Sequence, residues 1–328
     1  MDAFLATLFP MLSLFICIAA GFAVYRCKLL PENAGKTIAT LETWVFCPAL
    51  SFMTMLRFCS MENLQTHAIN IGLASCCIAM AVAMAIPLSH IFVKTKSPER
   101  GIYAYALAFA NSGYMGDPVV QAMFGDMALS YYKLFCLPLS VVIYTWGMSC
   151  LVPDGNERGS FIKKILNPPT IAMLLGMVAG ILGAEPYVPA FITSALDTLK
   201  ACMAPGAMIL AGITIARFNV LAMLKNVKIY VITLLRLFVF PLLTVFLLYI
   251  LKLGLAEIFS IEVGNYVLFL GFFATGSALG LNTVVFPEAY GGNPETGAGM
   301  ALISHTLCVV SIPIMYTLLV SWFGPFVI

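Results

Sequence analysis

Charge is scarce in this 328-residue chain. Asp, Glu, Lys and Arg make up 10% of it, and acidic and basic residues nearly balance, 15 against 17. Such a chain offers no basic field for nucleic acid, and no stretch is long and polar enough to build a soluble domain. The signatures of several chemistries are missing as well. There is no G-x-x-x-x-G-K-[ST] loop to cradle a nucleotide's phosphates, no H-x-x-x-H spacing for a metal and no nucleophile motif. The chain therefore does not use ATP itself, does not read as an enzyme, and gives no reason to expect a cofactor or metal. Its ten cysteines form no C-x-x-C pair. Most of them (Cys17, Cys47, Cys76, Cys77, Cys136, Cys202, Cys308) sit in apolar runs, where a thiol acts as a small hydrophobe. The start, Met1-Asp2-Ala3-Phe4, lacks the basic region of a signal peptide, and the long apolar run behind it reads as a retained span.

What the chain has is apolar length. Hydrophobic residues make up 61% of it, and at roughly 20 residues per crossing the length allows about ten transmembrane helices. The apolar runs place them near residues 4–25, 37–57, 67–93, 101–124, 129–151, 169–184, 188–216, 227–251, 263–287 and 298–323. The fourth and ninth are interrupted, and the sixth is short enough to be a tilted or partial span. Basic residues gather in alternate loops: Arg26, Lys28 and Lys36; Lys94, Lys96 and Arg100; Arg158, Lys163 and Lys164; Arg217, Lys225 and Lys228. The opposite loops carry little more than Arg57 and Lys252. The positive-inside rule makes the basic loops cytoplasmic and puts both termini outside. The loop after the ninth span has no basic residue.

The text also repeats. Leu30-Pro31 running to Cys47-Pro48-Ala49-Leu50 is echoed by Val188-Pro189 running to Ala204-Pro205-Gly206-Ala207. Phe109-Ala110-Asn111-Ser112 is echoed by Phe273-Ala274-Thr275-Gly276, Gly116 by Gly280, and Tyr144-Thr145 by Tyr316-Thr317. The offset is about 160 residues, and an odd number of spans per copy inserts the second copy upside down, a recurring plan of transporters. The chain then divides into a first five-helix repeat (1–151), a short cytoplasmic linker (152–168) and an inverted second repeat (169–328).

The most telling stretch is Asn111-Ser112-Gly113-Tyr114-Met115-Gly116-Asp117-Pro118, polar and helix-breaking inside an apolar span. Pro118 has no N–H and restricts Asp117 before it, and the two glycines loosen the backbone. Unwound backbone at membrane depth survives only where protein buries it or it lines an aqueous cavity. Broken spans with polar residues at the break are where secondary transporters hold substrates and ions. Asp117 is expected to be the N-cap of the second half-helix with Pro118 at its first position, giving a positive helix end that attracts anions. Asn111, Ser112, Gly113 and Gly116 would line the substrate site, with Gln121 one turn on either facing the chamber or packing. Across from them Thr275, Ser277, Asn282 and Thr283 would line the break in the ninth span. There Gly276 and Gly280 loosen the helix, and Asn282-Thr283 can cap the next helical stretch.

An ionisable residue inside a span is a functional candidate. Asp117 can carry or gate a coupling proton, or serve only as a cap. Glu42, Asp197 and His305 are the other coupling candidates. Asp197 can instead pair locally with Lys200 at i, i+3, and Arg236 can be buried against a carboxylate such as Glu42 or Asp197. His67 and His90 fall near span ends and read as interfacial. Pro48 and Pro205 read as kinks in spans two and seven.

These residues carry a resemblance. Asn111 through Gly125 is similar to the fourth-span text of the auxin efflux carrier family, the permeases that include the plant auxin transporters. Leu29-Leu30-Pro31, Phe46-Cys47-Pro48-Ala49-Leu50, Ala204-Pro205-Gly206-Ala207 and Ala289-Tyr290-Gly291-Gly292-Asn293 resemble other parts of it. The resemblance spans nearly the whole chain. It implies an all-α integral membrane protein with two inverted repeats, spans four and nine broken and crossing. It also implies a scaffold of spans one, two, six and seven beside a moving transport body, working as an elevator. It further implies a cell-membrane permease for small organic anions such as malate or malonate, often dimeric, with proton or sodium coupling. Two departures stand out: plant carriers have an apolar residue where this chain has Asp117, and prolines at the ninth-span crossover where it has Ala278, Gly280 and Thr283. The alternative is a sodium-coupled symporter of a different solute on the related fold of bile-acid symporters, with Asp117 facing the cation.

Overall fold

The computed structural model describes residues 3–62, 64–94, 97–151, 167–218, 225–290 and 295–328. Hydrocarbon cannot hydrogen-bond a backbone, so an apolar chain of this kind closes its peptide groups into helices. The described residues do so, with one isolated β-bridge as the exception. In chain order the helices are α1 (Ala3–Arg26), α2 (Ala34–Phe58), α3 (Leu64–Phe92), α4 (Pro98–Ala108), α5 (Ser112–Phe135), α6 (Leu137–Leu151) and α7 (Pro168–Ile181). They continue with α8 (Ala190–Ala216), α9 (Val227–Phe259), α10 (Tyr266–Gly276), α11 (Asn282–Tyr290) and α12 (Glu295–Phe323).

Among the described residues six helices are long and apolar enough to cross a membrane, or seven if the bent pair α5 and α6, which turns by 45°, is one span. At 1.5 Å per residue the 14-residue α7 reaches about 21 Å, short of a hydrocarbon core of about 30 Å. The expected shortness of the sixth span is thus visible in its length. Residues 152–166 of the expected linker, with Arg158, Lys163 and Lys164, lie outside the described residues, as do Lys96 and Gly291-Gly292-Asn293; Asn167 and Pro168 at its end already cap and start α7.

Several helix starts are set by local chemistry. Ser97 accepts from the Arg100 amide before α4, Asn167 from the Thr170 amide before α7, and Asn226 from the Lys228 amide before α9. Pro98 and Pro168 occupy first helical positions, where a missing N–H costs nothing. The basic ends meet in space: Arg26 at the end of α1 donates to the Phe218 carbonyl at 2.9 Å, and Lys228 at the start of α9 donates to the Phe92 carbonyl at 2.8 Å.

Helix α1 packs on α8, and α2 packs on α7 and α8. Small residues set these distances: a Cβ on Gly21 would run into the Ile209 carbonyl, and one on Gly212 into the Ile18 carbonyl and the Phe22 amide. Backbone cannot give way as a flexible side chain can. Gly212→Leu is therefore expected to cost about 1–3 kcal/mol, read from the midpoint of SDS unfolding in mixed micelles; an unchanged midpoint would deny this close approach. Every residue of α10 is buried, and so is the run from Ile102 to Ala110. The two short half-helices sit at the centre of the bundle, where protein covers the irregular backbone at the end of each of them.

Candidate functional site

Both interrupted segments break at the same place in space. Helix α4 ends at Ala108, and Ala110 pairs with Leu279 in the antiparallel bridge just beyond α10. The Asn111 amide donates to the Ala278 carbonyl at 2.7 Å, and the Leu279 amide donates to Ser304 Oγ at 3.0 Å. Tyr132 Oη donates to the Ser112 carbonyl at 3.2 Å and approaches the Phe273 carbonyl at 3.4 Å, tying the two breaks together. Arg236, fully buried over the Phe240 ring, donates to the Leu107 carbonyl at 3.3 Å. It satisfies one of the orphan acceptors at the end of α4 and places a cation at that negative helix end. The expected carboxylate partner for Arg236, Glu42 or Asp197, is not what it meets.

Helix α5 starts earlier than the sequence suggests. Asn111 is the non-helical residue before it (φ −80°, ψ 59°), and Ser112–Gly116 form a wide π-turn closed by the Asp117 amide on the Ser112 carbonyl. Pro118 has no N–H to continue that ladder, so the turn leaves a carbonyl without its donor. Asp117 is therefore inside the helix with αR geometry, and the expected N-cap role does not occur; its carboxylate turns to Lys133 instead. The Met115 and Gly116 amides bond to the Asn111 carbonyl, while those of Ser112, Gly113 and Tyr114 have no backbone acceptor among the described residues. Free amides at a helix start are an anion-attracting arrangement.

A cavity of about 140 Å³ opens beside this turn. At about 30 Å³ per water it has room for about five waters. One wall is α2 (Thr43, Cys47, Ser51), the stretch entering α7 (Asn167, Thr170, Met173) and Met203 of α8. The facing wall is the break itself (Ala110 to Tyr114), Asp117, Lys133, the α6 residues Ser140 and Tyr144, and Gly280 and Asn282.

Of the residues expected at the site, Asn111, Ser112, Gly113, Asp117 and Asn282 line this cavity, while Gly116, Pro118, Gln121, Thr275, Ser277 and Thr283 do not. Thr275 and Ser277 spend their hydroxyls on the Gly271 and Phe273 carbonyls at 2.7 Å, and Thr283 on Gly280 at 2.8 Å. Asn282 donates to Tyr105 Oη at 3.1 Å. Gln121 donates to Asp126 at 2.8 Å across the Gly125 turn, so it packs locally. Asn111 Nδ2 lies 3.3 Å from His305 Nε2, and His305 Nδ1 lies 2.7 Å from the Ala301 carbonyl. A carbonyl only accepts, so Nδ1 carries the hydrogen and Nε2 accepts from Asn111. The Asn111 amide is thereby held in place, while Ser112 and the residues with free amides line the cavity beside it.

The charges sort differently from the expected local pairs. Asp197 does not meet Lys200: Arg57 grips both of its carboxylate oxygens, at 2.9 and 2.8 Å, and also reaches Glu185 at 3.1 Å. Asp197 is thus held away from the cavity. Lys200 instead pairs with Asp126 at 2.5 Å, joining α8 to the Gly125 turn of α5. Glu42 is fully buried in a π-turn of α2, with neither oxygen partnered among the described residues and the chain path at Gly206 pressed against it. His67, in the first turn of α3, is buried against Tyr131. The residue that sequence reasoning missed is Lys133, 2.6 Å from Asp117, with 8% and 5% of their side chains exposed. Its signal was present: a lone lysine deep in an apolar run.

Long apolar helices and a polar break in the bundle centre define a multi-pass integral membrane protein. The sequence comparison agrees: the profile described as "Membrane transport protein" matches residues 6–316, so the chain belongs to this auxin efflux carrier-like transport family. Relatives include an uncharacterized transporter of Methanocaldococcus jannaschii, 24% identical over 207 residues, 61% of this chain and 66% of that one. An uncharacterized transporter of Methanothermobacter thermautotrophicus is 21% identical over 216 residues, 65% and 69% of the two chains. The matches thus span about two thirds of the length of these curated relatives.

Proposed function

We propose that this protein is a secondary transporter of small organic acids across the cytoplasmic membrane, holding a carboxylate in the cavity beside the paired breaks. The observation that carries this reading is the Ala110–Leu279 bridge, which sets two broken helices against each other next to a polar cavity. The Ser112 hydroxyl and the amides of Ser112, Gly113 and Tyr114 bind the carboxylate, with Asn111 positioned by His305. Thr275, Ser277 and Thr283 shape the second break through their backbone bonds, and Gly116 and Pro118 shape the first.

The proposed architecture is two inverted five-helix repeats (1–151 and 169–328) with spans four and nine crossing, α4 and α5 making one broken span and α10 and α11 the other. The cavity lies between α2, α7 and α8 on one side and the broken helices on the other. That supports an elevator in which the second group slides against the first; the basic loops support placing both termini outside, and the family resemblance supports pairing the chain as a homodimer. Glu42, buried without a partner among the described residues, and Asp117 are the carboxyls proposed to couple transport to protons. The sodium-coupled alternative is weaker, because Lys133 already occupies the place beside Asp117 that a cation would take.

The test is the thermal midpoint of the purified chain against a panel of organic acids, with and without sodium, at two pH values. A ligand of the folded state raises the midpoint by mass action. Stabilisation by a carboxylate that Asn111→Ala reduces supports the reading. Stabilisation by sodium alone, abolished in Asp117→Ala, would replace it with the cation-coupled one.

A further inference from the structure

We infer that Lys133 is the charge that selects anions in this cavity, its ammonium being shared between Asp117 and the carboxylate of the substrate. The inference rests on the transport reading above and adds to it a specificity-determining residue on a helix that the sequence pattern did not connect to the break.

Three observations carry it. Lys133 lines the cavity, as does Asp117, so the pair is at the wall of the binding space and not behind it. An ammonium has three donors, and among the described residues Asp117 takes one of them, leaving two N–H directions without a protein partner. Among the described residues Lys133 is also the sole Lys or Arg lining the cavity, alongside one lining carboxylate. Buried ions in a membrane protein face the interior or a water-filled path and mark substrate routes. Hydrogen bonds to charged groups are the strong ones, and a desolvated cavity weakens them least.

The site is then a composite. The ammonium sits beside Asp117, beyond the reversal at Gly125, and lines the same cavity as residues 112 to 114, so both attract the same negative group. The rest of the lining is neutral: Thr43, Ser51, Asn167 and Thr170 on the far wall can hydrogen-bond a polar tail. The substrate class is a small acid with one carboxylate at the Lys133 end and hydroxyl or carbonyl groups beyond it. Asp117 keeps the empty site from holding an unpaired cation, and it also lowers the attraction felt by an incoming anion.

The experiment is calorimetric titration of the purified full chain with malonate and malate, and with malonamide as the uncharged match in shape. The wild type binds the acids and not the amide. Asp117→Asn leaves the lysine in place and removes its competitor, and binding of the acids tightens about tenfold. Asp117→Asn with Lys133→Gln removes both charges while keeping hydrogen-bonding side chains, and binding of the acids falls by about 10-fold to 100-fold, the weight of a hydrogen bond to a charged group. A double variant that binds the acids as the wild type does would make the pair a structural staple and overturn the inference, leaving the transport reading intact. Unchanged or weaker binding in Asp117→Asn would overturn it equally, and needs only the single variant to fold. A wild type that binds neither acid would remove the transport reading and this inference together.

Discussion

Lys133→Ala alone is expected to destabilise the protein by about 3–5 kcal/mol, the usual cost of leaving one member of a buried ion pair uncompensated. The geometry gives the reason. Asp117 and Lys133 sit 2.6 Å apart with their side chains almost wholly covered, on two helical stretches that fold back on each other at Gly125. Removing the ammonium strands a buried carboxylate whose only described ion-pair partner is Lys133. Replacing both partners by neutral amides leaves no stranded charge, so the double variant is expected to recover most of the loss. Unfolding in SDS mixed micelles measures both. Equal losses in the single and double variants would show that the pair contributes by packing and not by charge.

Gly125→Val is expected to cost about 1–3 kcal/mol, the range for a residue forced into backbone that glycine alone adopts easily. Gly125 has φ 81° and ψ −176° and divides the half-helix that starts at Ser112 from the helical stretch that resumes at Asp126. Nothing crowds the position, so the cost is conformational and not steric. The consequence reaches further than stability. Asp126, the next residue, holds Gln121 on the half-helix and Lys200 on α8. Redirecting the turn pulls both contacts, and with them the depth of the half-helix whose first residues line the cavity. The expected result is lower stability together with weaker ligand binding. A variant that loses stability but binds ligand normally would show that the turn does not set the position of the break.

Much of this was legible in the residues, for a physical reason in each case. Gly113, Gly116 and Pro118 break a helix through local backbone chemistry, so the break could be placed from sequence alone. The second break, at Ser277 to Leu281, has no proline and was read from Gly276, Gly280, the capping pair Asn282-Thr283 and the echo of the first break's text. The short sixth span was visible as a short apolar run. Asp117 was misread because Asp-Pro is a helix-start signal in any context, while the actual start at Ser112 is set by the bridge to Ala278 and Leu279, a contact between distant segments. The ion partners were out of reach for the same reason. Asp197 and Lys200 are three residues apart and read as a pair, but the helix carries them to Arg57 and Asp126 respectively. Arg236 gave no hint that its partner would be a backbone carbonyl. Lys133 was visible in principle, since a lysine inside an apolar run is costly enough to need a partner.

The central claim is that a carboxylate crosses the membrane through the cavity beside the paired breaks. Counterflow tests it most directly: proteoliposomes are loaded with unlabelled malonate or malate, diluted into trace labelled acid, and the transient accumulation of label is monitored. The account predicts accumulation by the wild type, none in protein-free vesicles, and loss of accumulation when Ser112 and Lys133 are replaced with Asp117 neutralised. Absence of counterflow with every small acid, or counterflow that is indifferent to those substitutions, would contradict it.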